Sequence, residues 1–70
     1  MKPDYNQISE QELFECAVAY VRGRGKASTS LLQRHFYIGF GKAVKLIERM
    51  EQAGIITPPE GNLLERRVIG

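Results

Sequence analysis

Gly39-Phe40-Gly41-Lys42 sets two glycines and a lysine at the head of a helical pattern, a combination with which backbone amides and an ammonium can cradle a phosphate. A nucleotide-binding loop needs the spacing G-x-x-x-x-G-K followed by Ser or Thr. Gly41-Lys42-Ala43 lacks the hydroxyl, and Gly25-Lys26-Ala27 lacks both the hydroxyl and the upstream glycine. Other catalytic chemistry is no better provided for. His35 is the sole histidine and has no nucleophile or metal partner at a recognisable spacing; Cys16 is the sole cysteine and has no Cys or His neighbour at metal spacing. No enzyme activity, cofactor or metal is expected.

The residue types that remain are basic. Between Lys42 and Gln52, at about 100° per residue, Ala43, Val44, Leu46, Ile47 and Met50 cover one arc, while Lys42, Lys45, Glu48, Arg49 and Gln52 occupy the other. A charged outer face is ordinarily just solvated. Here Lys45 and Arg49 form a like-charge i,i+4 pair whose repulsion costs roughly a few tenths of a kcal/mol, a cost that a bound polyanion removes. Lysine and arginine suit the acceptors on guanine, and a carboxylate suits the amino group of cytosine. Lys42, Lys45, Glu48 and Arg49 are therefore the candidate base-reading set. Ser28, Thr29, Arg34, Gly41, Arg66 and Arg67 are candidates for contact with the DNA backbone, contact that positions a protein without reading sequence.

These side chains need elements to hold them. Ser9-Glu10-Gln11-Glu12 fits a capping box, and Leu13, Phe14, Ala17, Val18, Tyr20 and Val21 then recur at three- and four-residue spacing, a first helix expected to end before Gly23 and Gly25. Cys16 is expected at the edge of that stripe. Arg22-Gly23-Arg24-Gly25-Lys26 reads as a basic loop, after which Ala27-Ser28-Thr29-Ser30 offers several caps for a short second helix through Phe36. Gly39 and Gly41 interrupt it, Gly39 relieving the backbone and Phe40 pinning the turn by packing. The third helix closes at Ala53-Gly54. Two helices joined by such a turn make a helix-turn-helix. Ile55-Ile56-Thr57 and Arg66-Arg67-Val68-Ile69 are β-prone runs around the turn signals of Pro58-Pro59-Glu60-Gly61-Asn62. The fold class that follows is mainly α with a small β-hairpin: a winged helix-turn-helix, with a polar lead-in over 1–8 and one domain over 9–70.

Seventy residues support one small domain, and 43% apolar residues with no block of one charge sign argue for a folded globule. Ten Lys and Arg against eight acids leave a net charge of only +2, so the placement of the cations matters more than their number. No apolar run approaches the roughly 18 residues of a membrane span, and a polar start in place of a signal sequence, with a single cysteine, points to the reducing cytoplasm.

The run from Ala27 to Ile56 resembles the C-terminal gamma domain of FtsK-type DNA translocases. Gln33-Arg34, Ile38-Gly39, Ala43, Glu48, Met50-Glu51 and Gly54-Ile55 carry the likeness, and Pro58-Pro59-Glu60 and Asn62 extend it, so that it covers about residues 12 to 69. The resemblance implies a winged helix that binds a short, directional, G-rich motif in double-stranded DNA, orients a hexameric motor during chromosome segregation, and contacts a Xer-type tyrosine recombinase. ATP hydrolysis would then belong to a separate motor segment. The resemblance puts base reading at Gly41, Lys45 and Glu48, where the family has Asn, Arg and Glu, which implies an altered DNA preference. A rival reading is a protein-interaction module that docks a recombinase, a motor subunit or a second copy through Leu63 and Leu64.

Overall fold

The computed structural model describes residues 4–61 and 64–70. In chain order it contains α1 (Glu10–Arg24), β1 (Lys26–Ala27), α2 (Thr29–Phe36), α3 (Phe40–Gln52) and β2 (Arg66–Arg67). Asn62 and Leu63, named above for the wing, lie outside the described residues.

Each helix begins where a polar cap relieves its first amides or where the chain arrives extended. The Ser9 hydroxyl accepts from the Glu12 amide at 3.1 Å, as the capping box requires on that side. Of the caps available to α2, Ser28 is the one used, accepting from the Leu31 amide at 3.1 Å. Helix α1 runs past the expected stop: Gly23 lies inside it, and Arg22 and Arg24 occupy its last turn instead of a loop. Their positive charge suits the C-terminal end of the helix dipole, and Gly25, with φ of 79°, ends the helix. Lys26 and Ala27 then form a strand in place of the expected loop.

The turn between α2 and α3 differs from its expected form. Its left-handed residue is Tyr37, with φ of 54°, and not a glycine. Gly39 is extended, with φ of −73°, and serves as the N-cap of α3, which includes Gly41 and starts at Phe40. Phe36 and Ile38, on either side of Tyr37, are buried, so the chain must reverse within one residue to keep both in the core. Phe40, expected to pack, is the first residue of α3 and is 66% exposed, the turn being closed instead by the buried Phe36 and Ile38. The end of α3 follows the expected glycine stop: Ile55 N–H donates to the Met50 carbonyl and Gly54 N–H to that of Glu51, a Schellman motif with Gly54 left-handed.

Leu13, Ala17, Val18 and Val21 of α1 meet Leu32 and Phe36 of α2 and Ala43, Leu46, Ile47 and Met50 of α3 in one core, closed by Ala27, Ile38, Ile55 and Ile56. Tyr5 and Ile8, from the lead-in, pack against the same cluster. Cys16, expected at the edge of the α1 stripe, is exposed.

The two tail runs are joined by a single antiparallel bridge, Ile56 to Val68, while the ladder of β2 is with β1, Lys26 opposite Arg67 and Ala27 opposite Arg66. Periodicity could not show this pairing, because a two-residue strand carries no period. The wing is further secured by charge. Arg66 is mostly buried, and its guanidinium donates to Glu51 of α3 at 2.7 Å and to the Thr57 carbonyl at 3.1 Å. Arg67 pairs with Glu60 at 3.1 Å and Lys26 with Glu65 at 3.2 Å, both on the surface.

The hydrogen bond and the charge of Arg67 hold the Glu60 carboxyl below its ordinary pKa. A carboxyl depressed in this way contributes stability that is complete above its unfolded pKa and is lost as pH falls through the folded one. Arg66→Ala is expected to lower stability by about 1–3 kcal/mol, the range for a hydrogen bond to a charged group with a partner left behind, measured by urea unfolding at neutral pH. Arg67→Ala should leave the midpoint nearly unchanged while the pKa of the Glu60 carboxyl, followed by NMR titration, rises toward the usual carboxylate range, the Thr57 hydroxyl remaining to hold it down.

Candidate nucleic-acid interface

Helix α3 presents a core strip, an outward strip and a border on either side. Ala43, Leu46, Ile47 and Met50 face the core. Diametrically opposite, within an arc of about 60° at the pitch of an α-helix, lie Gly41, Lys45, Glu48 and Gln52, all exposed. Lys42 and Arg49 border this outward strip on the side of α1, and Val44 and Glu51 border it on the side of the wing.

Contacts on both borders agree with that geometry. The Lys42 ammonium donates to the Asn6 side-chain oxygen at 3.3 Å. The Arg49 guanidinium donates to the Gln11 side-chain oxygen at 3.1 Å and lies 4.0 Å from the Phe14 ring centre, a cation–π contact. On the other border Glu51 takes the Arg66 guanidinium. Among the described residues, Lys45 and Glu48 have no ion pair or hydrogen-bonding side-chain partner.

The candidate residues thus separate by situation. Lys45 and Glu48 stand together on the outward strip; Lys42 and Arg49 are exposed but lean toward α1. Gly41 sits at the head of the strip, in a helix whose first turn no side chain caps. A Cβ there would meet nothing within 4 Å, so neither space nor backbone angle demands glycine. Arg34 is exposed in the last turn of α2 and Thr29 half-buried in its first. Ser28 is 8% exposed, with its hydroxyl engaged by the Leu31 amide. Arg67 is exposed beside Glu60, whereas Arg66 is drawn inward to Glu51.

Sequence reasoning missed the neutral partners Asn6, Gln11 and Phe14, which come from the lead-in and α1. No spacing signal links residues more than thirty positions apart. His35 lies against Tyr20, ring centroids 3.7 Å apart and nearly parallel, joining α1 to α2. Among the described residues no three His, Cys, Asp or Glu side chains converge as a metal site would require, and no helix is long and apolar enough to cross a membrane.

Over residues 9–70 the chain matches the family model described as the Ftsk gamma domain. It is 47% identical over 58 residues to a DNA translocase FtsK of Treponema pallidum, covering 81% of this chain and 7% of that protein. A DNA translocase FtsK of Rhizobium meliloti is 51% identical over 53 residues, 76% of this chain and 6% of the relative. The DNA translocase SpoIIIE of Bacillus subtilis is 45% identical over 51 residues, 73% of this chain and 6% of the relative. The chain therefore spans less than a tenth of the length of these curated relatives. With three helices, a short antiparallel sheet and this match over nearly its whole length, the chain belongs to the FtsK gamma domain family.

Proposed function

We propose that this gamma domain binds duplex DNA with α3 in the major groove and the wing against the backbone, and thereby orients a DNA translocase during chromosome segregation. The observation that carries the reading is the sorting of charge. The wing cations Arg66 and Arg67, and Lys26 of the neighbouring strand β1, each have a glutamate partner, whereas Lys42 and Arg49 have neutral partners and Lys45 none among the described residues. Three cations without a carboxylate partner therefore share one exposed helix, of a width that the major groove admits.

In this arrangement Lys45 and Glu48 read base edges, and Lys42 and Arg49 add attraction along one border. The Gly41 amide, Thr29, Arg34 and Arg67 lie toward phosphates. Ser28 and Arg66 act by holding α2 and the wing in place. The names of the relatives, which are DNA translocases, support the same reading. In this reading ATP hydrolysis belongs to a separate, hexameric motor.

One observation favours a second surface. Leu64 is 86% exposed and Ile69 64% exposed, both on the wing side, a placement suited to a protein contact such as a Xer-type recombinase. Leu63, the other residue of that reading, lies outside the described residues.

Lys45→Ala with Arg49→Ala is expected to weaken duplex binding and to lower the slope of log affinity against log salt by about one for each phosphate contact removed. Fluorescence anisotropy at several salt concentrations measures this; unchanged binding would remove α3 from the interface. Gly41→Asn with Lys45→Arg restores the side chains found at the family's reading positions, and the guanidinium fork regains about 1–3 kcal/mol of discrimination at a guanine. Binding-site selection should then shift toward the family's G-rich motif, and identical selected motifs for both proteins would refute the altered preference. Leu64→Ser should reduce capture of a Xer-type recombinase while leaving duplex affinity unchanged; a recombinase contact that survives it lies elsewhere.

A further inference from the structure

We propose that the groove between α3 and the N-terminal end of α1 docks an acidic peptide bearing one apolar anchor side chain, and that this peptide and duplex DNA exclude one another. The groove has a volume of about 80 Å³, roughly half that of a cavity able to hold benzene, and so accepts a single aliphatic side chain. Ile8, Leu13 and Leu46 supply its apolar lining, with Leu13 and Leu46 each 4% exposed. Lys42, Lys45 and Arg49 stand along its edge, facing Glu10.

Three cations against one carboxylate leave the edge positive. The amide oxygens of Asn6 and Gln11 hold Lys42 and Arg49 in place without neutralising them, so the charge is oriented before any ligand arrives. A phosphodiester would meet this charge but would bring no apolar group into the groove against the half-buried Ile8. A peptide with carboxylates on both sides of a leucine-sized anchor satisfies both features. Lys45 belongs both to the groove and to the outward strip of α3, so one ligand removes it from the other. This exclusion rests on the duplex-binding reading; the peptide site does not.

The test uses a fluorescein-labelled nonapeptide of glutamate and aspartate around a central leucine, with a serine-centred peptide as control. Saturable anisotropy is expected, with methyl NMR shifts at Ile8, Leu13 and Leu46. At least tenfold weaker binding is expected for the control peptide, and likewise for Ile8→Ser, which should retain duplex affinity. Lys42→Glu, at an exposed position, provides a second variant that should lose the peptide should Ile8→Ser fail to fold. Equal binding of the two peptides, or shifts confined to residues outside the groove, would reduce the interaction to general electrostatic attraction and overturn the site. Unlabelled duplex should displace the peptide as its concentration rises. Peptide retained while the duplex is bound overturns the exclusion alone, whereas a duplex that fails to bind the protein by itself overturns the duplex reading and leaves the peptide result standing.

Discussion

The placement of α3 depends on the burial of Phe36 and Ile38 on either side of one left-handed residue, Tyr37. Phe36 is held edge-on by Tyr5 at 4.6 Å, His35 at 4.7 Å and Tyr20 at 5.6 Å between ring centroids, so it draws the lead-in, α1 and the end of α2 to one point. Burying such a side chain is worth about 1.5–3 kcal/mol. A left-handed conformation costs a residue with a Cβ about 1–2 kcal/mol. The burial of the two neighbours outweighs that cost, and the direction in which α3 leaves the turn follows from it.

A second constraint acts at the other end of α3. The Schellman stop at Gly54 turns the chain so that Ile55 and Ile56 return to the core, and the Arg66–Glu51 pair joins the wing to the last turns of the same helix. The Gly25 carbonyl, at the end of α1, accepts from the Val68 amide at 3.2 Å. The helix carrying the exposed cations is therefore set between α1 on one border and the wing on the other, with little freedom to rotate about its axis. A reading surface needs that rigidity, because side chains must be held close to their productive geometry by the elements beneath them.

Charge sorting follows from the same arrangement. With a net charge of only +2, composition alone would not distinguish this chain from an ordinary globule. Three of the glutamates are taken up by cations of the wing and its neighbouring strand, while Lys42, Lys45 and Arg49 stand together on α3 with no carboxylate partner among the described residues. A small excess thus becomes a local field on one surface, which is what matters for a polyanionic partner.

Much of this was legible in the residues. The three helices, the Ser9 cap, the glycine stop after α3 and the opposition of Leu46, Ile47 and Met50 to Lys45 and Glu48 all rest on local hydrogen bonding or on a period of about 3.6 residues, and both are written along the chain. Other features were settled only by tertiary packing. Gly39 drew attention in the turn, yet core burial on both sides placed the left-handed angle at Tyr37 and left Phe40 outside. Lys26 and Ala27 became a strand because Arg66 and Arg67 came to lie beside them. Arg66 and Arg67 are adjacent and chemically alike, yet one is drawn inward, mostly buried, against Glu51 and the other lies in solvent. Sequence determines which residues share a helix face, since that depends on near neighbours; which cations keep their charge exposed depends on partners distant in the chain, and only the folded structure brings those partners together.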